Sequence, residues 1–321
     1  MNAPQIAWLP DGRRLHMNHG PIDLILEAWG EADECRAAYG QAAARFETIL
    51  RELVEELAEL RRPSRREPRR FAGATALRME RAACRFAADG AVFVTPMAAV
   101  AGAVADEVLA AMTKGRELER AYVNDGGDIA IHLSQGESMR LAIGDTGDGF
   151  GDRISVDAQD PVRGIATSGW RGRSHSLGIA DAVTVLARDG AIGDVAATLI
   201  ANAVDLPGHP GVGRVPAAEL SPDSDLGERL VTTAVGPLTA EEIDEALERG
   251  LALAEDFRRR GLIAAAALFL AGERRVSMGD GAGPALYGAP LCPVGHLPHE
   301  GGDRPSPPPR PKKDIPGRMH A

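Results

Sequence analysis

Apolar residues return every three or four positions through Phe46, Ile49, Leu50, Leu53, Leu57 and Leu60, which predicts an amphipathic helix over 31–60. Such a stripe either pairs with another chain or packs on the chain's own sheet, and this repeat is too short for a committed coiled coil. Upstream, weak alternation in Gln5–Leu9, a Pro10-Asp11-Gly12 turn and the apolar run Ile22–Ala28 predict a hairpin or meander over 5–30. Residues 75–89 and 97–113 read as two more helices, the second so rich in alanine that nearly every face is expected to be buried. Strand-like segments follow near 119–123, 128–133, 138–143, 152–156, 164–167 and 181–187, then a helix over 191–204. Pro207–Ser224 reads as a loop because proline and glycine dominate it. Thr239-Ala240-Glu241-Glu242 is a capping signal for a helix over 238–259, and Leu262–Leu270 reads as a last strand. From about Pro290 prolines take over, so 286–321 is expected to be a disordered tail behind a folded unit of residues 1–285.

Composition narrows the functional classes. A chain of 321 residues can bury a sizeable core. Aromatics make up 4%, too few for a platform that stacks single-stranded nucleic acid. The net charge of −10 argues in the same direction, because phosphate backbones are bound by clustered Lys and Arg. No nucleic-acid partner is therefore expected. Cys35, Cys84 and Cys292 lie far apart and form neither a disulfide framework nor a zinc signature, which fits a reducing, cytoplasmic setting. Asp11, Arg13 and Arg14 stand where a secretion signal needs an apolar core. The longest apolar run, Met97–Met112, is broken by Asp106 and Glu107, so no membrane span is expected. Six arginines with Pro63 and Pro68 between 61 and 70 read either as a solvated loop or as an anion-binding patch.

Four groups of residues carry candidate chemistry. In Tyr122–Ile131, Gly126-Gly127 before Asp128 sits between two strands; glycines there either close a plain hairpin or let backbone N–H groups approach a phosphate. Thr167-Ser168-Gly169 ends a strand with two hydroxyls, suited to an anion or a carbonyl-rich ring or to an ordinary Ser/Thr turn, and Arg171 and Arg173 stand close by in sequence. Asp194 and Thr198, four apart on one helix, make an oxygen-only pair for Mg²⁺, unless Asp194 only complements the helix dipole. His175, between the hydroxyl loop and the next strand, reads as a base, a ligand-positioning group or an exposed loop histidine. Cys292, His296 and His299 have metal-like spacing but lie in the proline-rich tail without a fourth ligand.

In this order, the small-residue helix Met97–Met112, Gly126-Gly127-Asp128, Ala166-Thr167-Ser168-Gly169, Ala182-Val183-Thr184-Val185 and Asp194–Thr198 resemble the ApbE-like superfamily of FAD:protein FMN transferases. The resemblance is closer still to an uncharacterised branch, through His19–Leu24, Pro96–Gly102 and Ser174–Ala182, and covers most of 15–275. It implies an α+β fold of the ApbE-like kind, with mixed or antiparallel strands packed by helices in one compact domain. It also implies Mg²⁺ and FAD as cofactors. Asp194 and Thr198 would be magnesium ligands, with a main-chain carbonyl near Ala101 as the third. Gly126, Gly127 and Asp128 would line the flavin nucleotide pocket, and Thr167, Ser168 and Gly169 would meet the flavin. Two departures stand out: the transferases' His-x-x-Asp-Pro-x-Thr-Gly loop is replaced by Trp170–Ala180, and the lysine of their small-residue helix by Gly102 or a neighbour.

Three functions remain open on this reading. One is transfer of FMN from FAD to an acceptor hydroxyl, with His175 as the base. Another is binding of a flavin or other nucleotide without catalysis, which the missing loop favours. The third is an enzyme acting on a different phosphate-bearing ligand in the same pocket. A homodimer is a reasonable expectation for such a protein.

Overall fold

A computed structural model describes residues 2–87, 92–143, 152–172 and 174–279, together with a short strand at 286–287. In chain order the elements are β1 Gln5–Trp8, β2 Leu15–His19, β3 Ile22–Gly30, α1 Ala32–Glu55, α2 Leu57–Leu60 and α3 Ala74–Phe86. A 3₁₀ turn, Pro96–Ala99, leads into α4 Val100–Thr113, and then come β4 Leu118–Asp125, β5 Asp128–Leu133, β6 Ser138–Ile143, β7 Asp152–Asp157, β8 Gly164–Ser168 and β9 Ala182–Ala187. The rest is α5 Gly190–Ala203, β10 Val212–Pro216, α6 Ala217–Leu220, β11 Leu230–Val235, α7 Ala240–Arg259, β12 Ala265–Leu270, β13 Glu273–Met278 and β14 Leu286–Tyr287.

Nine strands form one sheet in the order β1-β2-β3-β4-β5-β8-β9-β12-β13, and every pairing in it is antiparallel. The α+β architecture is therefore the predicted one, in its purely antiparallel form. Strand alternation explains how the sheet is covered. In β2 and β3, Leu15, Met17, Ile22, Leu24 and Leu26 point to one face, which α1, α4, α5 and α7 cover. On the opposite face Tyr122, Ile131, Ile165 and Leu186 pack with Met139, Leu141, Ile154 and Val156 of the β6–β7 ribbon. β9 and β12 lie between helices and neighbouring strands and are buried at every residue, which matches their unbroken apolar sequence.

Helix α1 packs on its own sheet and on α4. Ala38, Tyr39, Ala42, Phe46, Ile49 and Leu53 are its buried stripe, so the heptad alternative is not the one the fold uses. Pro96–Thr113 is long and apolar enough to cross a membrane, but half of that stretch is buried inside the fold, where it serves as a core helix.

Three features depart from the sequence expectation. The proline- and glycine-rich stretch is not all loop: β10 and α6 form within it, and β10 pairs with β11, with a register shift between Gly213 and Arg214. The strands β11 and β13 have no counterpart in the pattern, because β11 is half exposed and β13 is a charged edge strand with the sequence ERRVSM. The basic linker is largely solvated, with Arg62, Arg65, Arg66 and Arg70 exposed, but one of its arginines is committed to the fold. Arg69 clasps Glu80, a fully buried carboxylate of α3, with Nε at 2.9 Å and Nη2 at 2.8 Å. The Arg69 N–H and the Ser64 hydroxyl also donate to Glu80, both at 3.0 Å. Burial pushes the Glu80 carboxyl up, but these hydrogen bonds outweigh it and leave the group below its ordinary range. At the other end of the chain β14 pairs with β7. The tail from 288 on, with Cys292, His296 and His299, lies outside the described residues.

Candidate functional site

Helices α4 and α5 cross at two glycines. A Cβ added at Gly102 would lie 2.2 Å from the Gly190 carbonyl oxygen, so the two backbones touch with no room for a side chain. This closeness lets each helix cap the other. Asp194, in the second turn of α5, accepts the Gly102 N–H at 3.0 Å, with a second bond from the Ala101 N–H. Asp106, halfway along α4, accepts the Gly190 and Ala191 N–H groups at 2.9 Å each. Asp189, the N-cap of α5, accepts the Ile192 N–H at 2.8 Å. The orphan donors at the start of both helices are thereby satisfied by carboxylates. Just before α3, Glu56 accepts the Ala72 and Gly73 N–H groups at 2.8 and 2.9 Å and holds the entry to that helix.

These carboxylates are electrostatically unusual. Burial lifts Asp194 to about 7, and the Asp106 charge adds to the shift, while the Gly102 and Ala101 N–H groups oppose it. Burial and the neighbouring Asp189 lift Asp106 to about 6, against the pull of the Ala191 and Gly190 N–H groups and of Arg78. Both groups hold their protons in the folded state at a pH where an unfolded chain has released them. Their stabilising effect is therefore fully present below about pH 4 and is lost as pH rises towards about 7. Each group contributes a slope of up to about 1.4 kcal/mol per pH unit in that window. In metal-free buffer, Asp194→Asn is expected to gain Tm on the wild type between pH 4 and about 7 and to level off above it; a Tm difference independent of pH would contradict the raised carboxyl.

The glycine turn and the hydroxyl loop sit at one end of the sheet, since β5 starts at the turn and its antiparallel partner β8 ends at the loop. Gly126 and Gly127 take φ of 61° and 119°, and the Gly127 N–H bonds the Asn124 side chain at 2.8 Å. Asn124, Asp125 and Asp128 are all buried around that turn. Asp128 reaches across to accept the Thr167 N–H at 3.2 Å, and the Thr167 hydroxyl meets that of Thr184 at 2.9 Å. Ser168, the last residue of β8, is half-buried, and Gly169 backs closely onto the Asp181 carbonyl. Gly193 rests on Ala166, so Asp194 of α5 and Thr167 of β8 follow directly on a pair in contact. Asp194 and Thr198 are both half-buried and one turn apart.

Other expected donors are placed elsewhere. His175 bonds the Ser221 hydroxyl through Nε2 at 3.0 Å, and its loop is pinned to the C-terminal end of α5 by Leu177 N–H to Asn202 Oδ1 at 2.8 Å. Asn202 lies eight residues beyond Asp194, about 12 Å along the helix. Arg171 pairs with Asp181 at 3.0 Å, and Arg173 lies outside the described residues. Ala101 meets Asp194 through its N–H, a donor that orients the carboxylate. Among the described residues no three His, Cys, Asp or Glu side chains gather as a metal cluster. The donor set nonetheless fits a hard cation. Asp194 is paired with no lysine or arginine among the described residues, and with Thr198 it could offer two oxygens to an ion that keeps waters or takes ligand oxygens for the rest. Sequence reasoning read Asp106 only as a break, with Glu107, in an apolar run; its signal as a site residue was an acid on the buried side of an alanine-rich helix.

Residues 6–276 match the family described as AbpE bacteria, and the chain belongs to that family. A UPF0280 protein of Methanocaldococcus jannaschii is 38% identical over 114 residues, 34% of this chain and 45% of that protein. Another, from Methanococcoides burtonii, is 36% identical over 135 residues, 39% of this chain and 52% of its own length. The chain thus spans about half the length of the curated relatives it matches. The apo flavinyl transferase ApbE of Pseudomonas stutzeri aligns over 87% of this chain and 96% of its own, at 14% identity and a TM-score of 0.44.

Proposed function

We propose that the protein binds a flavin nucleotide, FAD in the first instance, with Mg²⁺ at Asp194 and Thr198. The observation that carries this reading is Asp194: a carboxylate raised by burial, held by the first N–H groups of α4 and lacking a cationic partner among the described residues. When bound, Mg²⁺ would supply charge neutralisation for a pyrophosphate and compensate the half-buried carboxylate. Asp194 and Thr198 contribute oxygens, and the Gly102 and Ala101 N–H groups fix the carboxylate's orientation. Gly126, Gly127 and Asp128 form the wall of the nucleotide pocket. Because Asp128 holds the Thr167 N–H, that wall and the hydroxyl loop Thr167-Ser168-Gly169 form one rigid unit on which the flavin ring is seated.

A second reading adds chemistry: an acceptor hydroxyl, giving up its proton to a base, attacks the FMN phosphorus of FAD, a P–O bond forms, the pyrophosphate bond breaks and AMP leaves. The order of the family motifs supports it. The surroundings of His175 favour binding alone, because this candidate base is engaged by Ser221 at the other end of α5. FAD binding and AMP release, measured with and without Mg²⁺, separate the two. Binding that Mg²⁺ strengthens, with no AMP, is expected; Mg²⁺-dependent AMP release would establish the second reading. Asp194→Ala is expected to cost roughly tenfold or more in Mg²⁺-dependent FAD affinity while the protein stays folded. A variant that binds FAD and Mg²⁺ normally would remove Asp194 from the site.

A further inference from the structure

A pocket of about 360 Å³ opens between α3, α4 and the start of α5. Its lining shares no residue with the glycine turn, the hydroxyl loop or the Asp194–Thr198 pair. One wall is the side of α3 that carries Arg78, Arg81 and Arg85, which the i, i+3, i+7 spacing places on a single helix face. Arg188, just before α5, faces them from the opposite wall, and Leu77 and Ile192 supply apolar surface between.

The charges in this pocket do not cancel. Two carboxylates line it against four arginines. Glu107 is shared between Arg78, at 3.2 Å, and Arg45 outside the pocket, at 2.9 Å. Asp189 caps α5 and meets Arg188 only at 3.5 Å. Arg81 and Arg85 are exposed and pair with no carboxylate among the described residues. The Nε of Arg78 is buried and has no acceptor among the described residues. A buried N–H without an acceptor carries a desolvation cost that a bound anion would remove. In a chain of net charge −10 this is a concentrated positive site, and its volume lies in the range of small-molecule pockets.

We propose that this pocket binds a small polyanion of the phosphate-ester class, its phosphate oxygens on Arg78, Arg81, Arg85 and Arg188 and its organic part on Leu77 and Ile192. Guanidinium forks bind phosphate oxygens in pairs, and a dianion satisfies several arginines where a chloride satisfies one. The inference goes beyond the flavin reading and does not rest on it.

Inorganic pyrophosphate, titrated calorimetrically without divalent cations, tests it on the full chain. The wild type is expected to show saturable binding, and Asp194→Ala to retain it. Arg81→Gln/Arg85→Gln is expected to weaken it by roughly tenfold or more for each guanidinium removed, at unchanged Tm because neither side chain has a structural partner. Sulfate at matched ionic strength controls for screening. The proposal is overturned by no saturable binding, by equal binding of sulfate, or by binding that persists in the arginine variant and disappears in Asp194→Ala. An arginine variant that lost FAD binding together with pyrophosphate binding would likewise overturn it, by merging the two sites into one.

Discussion

Gly102→Ala is expected to unfold the protein at a Tm roughly 6–12 °C below the wild type, or to prevent folding altogether. The added methyl would meet the Gly190 carbonyl oxygen at 2.2 Å, its carbon at 2.4 Å and the Ala191 nitrogen at 2.8 Å. All three are backbone atoms, so no rotamer relieves the clash and α4 must back away from α5. That movement breaks four bonds at once: the two from Gly190 and Ala191 to Asp106 and the two from Ala101 and Gly102 to Asp194. Overpacking of this kind costs about 3 kcal/mol or more, since the structure cannot yield locally. Gly40→Ala is the control, because that glycine is exposed within α1 and a Cβ there meets nothing within 4 Å. It is expected to stabilise by about 1 kcal/mol through helix propensity. Both alanines behaving alike in thermal denaturation would mean that the helices do not touch at Gly102.

Glu80→Ala is the second change with a large expected cost, about 3–5 kcal/mol in urea unfolding, because it leaves the Arg69 guanidinium without its buried partner. The Arg69 N–H and the Ser64 hydroxyl lose their acceptor as well, so the connection from α2 to α3 is released. Replacing both members, as in Arg69→Met/Glu80→Leu, is expected to recover much of the loss, since no charge is then stranded. A double variant as unstable as Glu80→Ala would show that the connection is held by something other than this pair. Acid gives a parallel reading. The Glu80 carboxyl is lowered, so its contribution is present above its unfolded pKa and is lost as pH falls through the folded one.

How much of this was legible in the sequence follows from the range of each interaction. Helices and buried strands carry their periodicity locally, and α1, α4, α5, β5 and β9 lie within a few residues of where the pattern placed them. Asp128 and Thr167 were singled out separately, one by a turn and one by a hydroxyl loop, and the β5–β8 pairing joins them. Interactions that need a distant partner left no such trace. Nothing local says that Asp106 reaches Gly190, 84 residues on, or that Arg69 in a run of like charges is spoken for by Glu80. The arginine face of α3 was written in its spacing, but a charged stripe on a helix ordinarily means a solvated face, and only the pocket opposite gives it another meaning.

The exchange of carboxylates between α4 and α5 makes the two helix starts a single mechanical latch. Neither first turn can fray alone, because the acid that satisfies it is carried by the other helix, and opening one strands donors on both. Any occupant that draws Asp194 away from its amides pulls on that latch, so the strength of its grip and the firmness of the core beneath it are set by the same few hydrogen bonds.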